Sequence, residues 1–322
     1  MSELAVAVFA AETGSHHVEP PRNARYAAFL RGFDERAYRA RLAERDLRFL
    51  GRSDPSFPPL LRAIHDPPVG LFLRGAGAAE LLARPAAAIV GARACSPYGG
   101  QVARVLGREL AAAGLVVVSG LARGIDGAAH RGALEAGGIT IAVLGCGIDR
   151  DYPASHRDLA AGVAAQGLIV SEYAPGVEPA PWRFPARNRV IAGLAAATVV
   201  VEARERSGAL ITADLALEEG RDVLAVPGEI TSSLSRGTNA LLRIGATPLT
   251  AAGDVLELFG LEGPTAAEEA PEAAAILALL PATADDLARL TSLEPGPLAA
   301  ALAELEVAGL VVEGEGTYRA AR

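Results

Sequence analysis

Residues 115–145, "LVVVSGLARGIDGAAHRGALEAGGITIAVLG", carry the pattern that decides the fold. Two nearly continuous apolar runs, 115–120 and 139–145, bracket a Gly- and Ala-rich segment of helical length. Strands that are apolar on both faces must be covered on both faces, and a helix-length connection returns the chain to the same edge in parallel. The unit repeats on either side. Apolar runs at 86–91 ("AAAIVG"), 168–172 ("LIVSE"), 198–203 ("TVVVEA") and 222–228 ("DVLAVPG") are separated by segments such as "YGGQVARVLGRELAAAG". The chain is therefore read as an α/β protein with a Rossmann-like, doubly wound, mostly parallel sheet.

Outward from this core, residues 51–260 are assigned to the Rossmann-like domain. Residues 1–50 read as a helical segment, basic over "RNARYAAFLRGFDERAYRARLAERDLRFL", and five prolines interrupt regular structure between Gly51 and Gly75. "GLEGPTAAEEAPEAA" opens a linker at 261–270. Residues 271–322 then give three short helices and a hairpin, a small winged-helix-like domain. The third helix of such a domain ordinarily faces DNA, but here its surroundings offer acids and Arg289, which favours a contact with protein over duplex reading. This tail contacts a partner, masks a DNA pocket or solubilises the chain; the sequence leaves the three open.

Composition narrows the chemistry. The 322 residues are 51% hydrophobic, enough for at least one large core. All 30 positive charges are arginine, so a P-loop lysine and a Schiff-base lysine are both excluded. The net charge of −8 is localised: from Leu261 onward eleven Asp/Glu face three Arg, while residues 1–260 hold 27 of each sign. Cys95 and Cys146 are too few for a disulfide framework or a metal knuckle, so neither metal nor cofactor is expected. No long apolar span and no basic leader stand out, which gives a cytoplasmic protein with no membrane role as the expectation.

In an open parallel sheet, ligands bind outside the carboxyl ends of the strands. The loops there are "GARACSPYGG", "SGLARGIDGAAH", "GCGIDRDYP", "EARERSGALITA" and "PGEITSSLSRGTN". Arg93 follows the Gly91 turn and is placed to fork onto a phosphate. No G-x-G-x-x-G fingerprint accompanies that turn, which counts against a dinucleotide. In the second loop Ser119, Gly120 and Arg123 are candidate contacts, Asp126 is a helix cap, and His130 is a packed, hydrogen-bonded histidine with no nucleophile to serve.

"WRFPARNRVIAGL" (182–194) is the sharpest signal, with Arg183, Arg187, Asn188 and Arg189 taken to lie at a helix N-terminus suited to phosphate. Trp182 and Phe184 either stack on bases or anchor in the core, and the sequence does not choose. Ser207, Gly208 and Thr212, and then Arg236, Gly237, Thr238 and Asn239, form two further loops of phosphate-binding composition, although helix capping uses the same residue types.

These motifs, with "VGARACSPYG", "VLGCGIDRDYP", "SEYAPG" and "SRGTNALLRIGA", resemble in order the DNA-processing protein A family, also called Smf, over about residues 46–260 and the C-terminal extension. The resemblance implies a non-catalytic protein that binds single-stranded DNA in a positive pocket, dimerises, and helps load the RecA recombinase in natural transformation. It places the family's DNA-contacting arginine on Arg93 and its RNR segment on Arg187–Arg189. It leaves open His156, which stands where relatives commonly have Asn. The alternative weighed is a Rossmann-like nucleotide phosphoribohydrolase using Glu202, Glu218 and Glu219, whose P-G-G-x-G-T-x-x-E motif is not found.

Overall fold

The computed structural model describes residues 2–15, 19–261, 271–307, 310–314 and 316–320. It divides into two compact units, Met1–Gly263 and Pro264–Arg322. Of the expected linker at 261–270, all but Leu261 lies outside the described residues.

Nine strands of the first unit make one sheet: β1 (Leu47–Gly51), β2 (Gly70–Arg74), β3 (Ala86–Val90), β4 (Val116–Ser119), β5 (Thr140–Leu144), β6 (Leu168–Ser171), β7 (Ala197–Val200), β8 (Asp222–Ala225) and β9 (Thr247–Pro248). Their order is β1-β2-β6-β5-β4-β3-β7-β8-β9. From β6 through β9 every pairing is parallel, while β2 joins β6, and β1 joins β2, antiparallel. The helices are α1 (Glu3–Thr13), α2 (Ala24–Gly32), α3 (Glu35–Ala43), α4 (Pro59–Arg62), α5 (Pro97–Ala112), α6 (Ile125–Glu135), α7 (Arg157–Gln166), α8 (Arg183–Leu194), α9 (Gly208–Glu218), α10 (Arg236–Arg243) and α11 (Gly253–Leu256).

The continuous apolar runs are explained by what lies on each face. Ala86, Ala88 and Val90 of β3 point into one core with Val190, Ile191 and Leu194 of α8 and Ala209 and Ala213 of α9. Ala87 and Ile89 point the other way, against Leu106 and Leu110 of α5 and Ile125, Ala129 and Ala133 of α6. Alternate residues on a strand face opposite sides, so a strand between two helical layers has no polar position to spare.

The six expected strands are all present. Three others were not expected: β1, β2 and the two-residue β9. "LRFLG", read as the end of a helical segment, is β1, and "GLFLR", within the proline-broken stretch, is β2. Leu71 and Phe72 are fully buried, and the Phe49 and Phe72 rings pack at 4.9 Å. Burial against the sheet outweighs local helix preference at β1. The prolines end at Pro68, leaving five residues free to pair. The N-terminal helices belong to the same unit: Leu4, Val6, Val8 and Phe9 of α1 share a core with Phe72, Ile169 and Leu144.

The second unit contains α12 (Pro271–Ala278), β10 (Ala282–Thr283), α13 (Ala284–Thr291), α14 (Pro295–Val307), β11 (Val311–Gly314) and β12 (Thr317–Ala320). Its three strands pair in the order β10-β12-β11, around a core of Ile276, Leu287, Leu298, Leu302, Leu305 and Val311. Three helices and a β11–β12 hairpin form a winged helix.

Candidate functional site

Strand order reverses between β3 and β7, the place where an open α/β sheet offers its crevice. Here that position is filled from within. Ser96 caps α5, accepting from the Gly99 N–H, with Pro97 at the first helical position. The buried Glu202 carboxylate, carried by the loop after β7, accepts from Ser96 N at 2.9 Å and from Ser96 Oγ at 2.5 Å. The free N–H groups at which a dinucleotide fold seats phosphate therefore face the chain's own carboxylate. Of the other glutamates in the enzyme reading, Glu219 accepts from the His65 N–H at 2.8 Å.

The open crevice lies further along the sheet, outside the carboxyl ends of β3, β4 and β5. It has a volume of about 400 Å³ and is lined by Arg93, Leu121, Arg123, Cys146, Tyr152, Phe184 and Arg187, among others. Gly124 brings its two exposed arginines together. Its φ of +74° with ψ of −127° is a conformation reserved for glycine, and a Cβ there would stand 2.8 Å from the Arg93 carbonyl oxygen. Only without a side chain at 124 do the loops after β3 and β4 touch. Across the mouth, the Arg93 guanidinium lies 5.1 Å over the Phe184 ring, and Phe184 stacks on the half-exposed Tyr152 at 5.4 Å. The result is a cation–aromatic–aromatic stack open to solvent on the Tyr152 side.

The floor is polar and buried. Arg187 is buried in the second turn of α8, not at its N-terminus, because that helix starts at Arg183. Its guanidinium donates to the Val143 carbonyl oxygen. Asp126 faces it across Gly120: a Cβ on Gly120 would collide with the Asp126 carboxylate and stand 2.7 Å from Arg187 Nη2. Asp126 was expected to cap a helix. Instead it sits inside the first turn of α6, which Gly124 precedes, and accepts from the Ala122 N–H at 3.3 Å. Burial pushes its carboxyl above the usual range, against the pull of Arg187; burial likewise pulls Arg187 down.

Beneath this floor, His130 is fully buried, with Nε2 2.6 Å from the Gly120 carbonyl oxygen and Nδ1 2.6 Å from Thr140 Oγ1. Burial lowers its pKa to about 4; the Nε2–H of the neutral ring donates to Gly120, and Nδ1 lies against the Thr140 hydroxyl, which donates to the Val117 carbonyl oxygen at 2.8 Å. It is the hydrogen-bonded histidine expected. His156, left open by the sequence, is buried with Nδ1 3.1 Å from the Leu121 carbonyl oxygen, behind the loop that carries Arg123.

Of the sequence candidates, the structure brings Arg93, Arg123, Phe184 and Arg187 into one crevice. Arg189 does not join them. It is engaged bidentately by Glu172 at 2.9 and 2.7 Å and by Asp66 at 3.0 Å, and so fastens α8 to neighbouring segments. Asn188 donates to the Gly208 carbonyl oxygen, tying α8 to α9. Ser119 is buried and donates to the Ile89 carbonyl oxygen, and Thr212 donates to that of Gly208. Ser207 caps α9, accepting from Ala209. Gly237 donates to the Ala203 carbonyl oxygen and Thr238 to that of Ser235; Asn239 clasps both the N–H and the C=O of Gly228. Arg236 is exposed on α10, away from the crevice lining. Arg183 lies over the exposed Trp182, 4.8 Å from its ring, and 5.4 Å from that of Tyr173, so Trp182 is a surface residue and not a core anchor. Tyr152, Leu121 and Cys146 were missed as lining residues. Tyr152 and Cys146 belong to the strand-end loop "GCGIDRDYP", whose tyrosine is the available signal.

Comparison with known proteins places this geometry. The family model DNA recombination-mediator protein A matches residues 48–260, and the DprA winged helix domain model matches residues 262–317. The chain is 45% identical over 269 residues to a putative DNA processing protein DprA of Mycobacterium tuberculosis, covering 79% of this chain and 69% of that one. It is 47% identical over 210 residues to DprA of Streptococcus pneumoniae, covering 64% of this chain and 72% of that one. The solved structure of the latter superposes with a TM-score of 0.67 at 38% identity, covering 80% of this chain and 93% of that one. A structure of Helicobacter pylori DprA, described for its single-stranded DNA binding mode, gives a TM-score of 0.60 at 32% identity, covering 66% and 95%. A doubly wound sheet, a winged helix and an ordered motif series thus agree with these matches, and the chain belongs to the DNA recombination-mediator protein A family.

Proposed function

We propose that this chain is a single-stranded DNA-binding recombination mediator, and that the crevice outside β3, β4 and β5 holds the strand. The observation that carries the reading is the pair of exposed arginines, Arg93 and Arg123, brought to one crevice beside the Phe184–Tyr152 stack. Guanidinium groups take phosphates and aromatic faces take bases of any identity, so binding is independent of sequence. The H. pylori relative supports the ligand class.

The mediator role proposed is protection of incoming single strands and loading of RecA in natural transformation, in the cytoplasm and without catalysis. Among the described residues no helix is long and apolar enough to cross a membrane. A homodimer is part of the proposal, through the face around α10, where Ile230 and Ile244 are 90% and 73% exposed. Light scattering that gives a monomer at micromolar concentration overturns that part.

The test is fluorescence anisotropy of a labelled oligothymidine in a salt series, with equal-length duplex as competitor. Each phosphate contact contributes a slope of about 0.7 in log affinity against log salt for single strands. Arg93→Ala and Arg123→Ala are each expected to weaken binding and lower the slope by about that amount. Variants that bind like wild type refute the assignment.

A further inference from the structure

Three arginines line or flank the crevice, but they are not electrically equivalent. Arg93 and Arg123 are exposed, whereas Arg187 is buried in the floor together with a carboxylate. Asp126 and the Arg187 guanidinium both crowd the single point above the Gly120 Cα, and nothing but hydrogen fits between them. Arg187 is further fixed by its bond to the Val143 carbonyl oxygen and by Nε lying 3.4 Å from Asn188 Oδ1. Asp126 is fixed by the Ala122 N–H. Neither group can swing toward a ligand without breaking these contacts. A carboxylate and a guanidinium held this close each pull the other toward its charged form, against the burial that raises the Asp126 carboxyl and lowers Arg187; with both charged, their net field at the crevice is close to zero.

We infer that Asp126 cancels Arg187, so that the crevice presents a DNA strand with two working cations, Arg93 and Arg123, above a floor whose two opposite charges offset each other across Gly120. Asp126 is thereby a positioning and affinity-setting residue that acts through Arg187. The inference rests on the single-strand reading proposed above and deepens it, because it says which arginines exchange counterions for phosphates. A site with three free cations grips its strand harder and is more salt-sensitive. The built-in carboxylate keeps binding weaker and more readily reversed, as suits a protein that hands its strand on.

The pair also accounts for Gly120. A methyl group there would drive the two charges apart, and the same residue's carbonyl oxygen receives the His130 ring.

The experiment uses the full chain with Asp126→Asn, Arg187→Gln and the double substitution, in two measurements. In the oligothymidine salt series, Asp126→Asn is expected to bind more tightly than wild type with a slope steeper by about 0.7, so its advantage shrinks about 2.6-fold between 50 and 200 mM salt. Arg187→Gln, which leaves Asp126 uncompensated, is expected to bind more weakly. The double variant is expected to keep the wild-type slope, since removing a neutral pair releases no counterions. A double variant whose slope falls by about 0.7 overturns the inference, because Arg187 would then neutralise a phosphate in the wild type. The second measurement needs no DNA. In urea unfolding, the double variant is expected to have a higher midpoint than either single variant, each of which buries an unpaired charge. A double variant no more stable than the singles refutes the pairing. If wild type fails to bind single strands, the single-strand reading fails, and urea unfolding still decides the pairing.

Discussion

Replacing Glu202 with glutamine tests whether the switch point of the sheet is a vacant phosphate site or a completed helix cap. The Glu202 carboxylate is buried and accepts two bonds from Ser96, at the start of a 16-residue helix. Hydrogen bonds to a charged acceptor contribute roughly 1.5–3 kcal/mol each, and a carboxylate at a partly buried helix N-terminus up to about 2 kcal/mol more. Glutamine preserves the shape and one acceptor, but turns an N–H₂ toward the other donor and removes the charge. The expected loss is therefore about 2–4 kcal/mol of stability in the first unit, one charge-assisted bond plus part of the dipole term. Urea unfolding followed by the fluorescence of Trp182, which lies in that unit, reads it without interference from the winged helix, which has no tryptophan. Single-strand affinity of the folded variant is expected to stay within a factor of about two, because the crevice is formed by other loops. A loss below about 0.5 kcal/mol, the range of an ordinary surface change, refutes the account of the cap.

Three further outcomes follow from the same geometry. Gly124→Ala forces a side chain into a glycine-only conformation beside the Arg93 carbonyl oxygen; a cost of about 1–3 kcal/mol is expected in urea unfolding, together with weaker oligothymidine binding as Arg93 and Arg123 separate. His130 titrates near 6.5 when unfolded and is held neutral down to about 4 when folded, so the stability it contributes is complete above pH 6.5 and is lost as pH falls toward 4, by roughly 3 kcal/mol. Unfolding free energies at pH 7 and pH 4.5 are expected to differ less in His130→Gln than in wild type, and an unchanged difference refutes the buried neutral ring. Arg189→Ala removes the guanidinium that engages the largely buried Glu172 carboxylate; about 3 kcal/mol of destabilisation is expected with no change in the salt slope of DNA binding, whereas a slope lower by about 0.7 would return Arg189 to the strand.

The sequence by itself determined the sheet. Runs such as "LVVVSG" and "ITIAVLG" have no polar face, and that property belongs to the run whatever surrounds it, so strand positions and parallel pairing were readable locally. The winged helix was legible for the same reason, as was the family, because its motifs occur in order along the chain. β1 and β2 escaped because "LRFLG" and "GLFLR" become strands only by pairing at the antiparallel side of the sheet. In the crevice, residue type and loop position sufficed for Arg93 and Arg123, whose side chains are exposed. Tertiary structure decided the rest. Arg187 and Arg189 lie two positions apart on one helix, in one basic motif, yet they meet different partners. Arg187 faces Asp126 under the crevice; Arg189 meets Glu172 and Asp66, the latter 123 residues away. A charge's role depends on the carboxylates that share its surroundings. Only the folding of distant segments brings those carboxylates close, where a charge interaction is far stronger than it is in water.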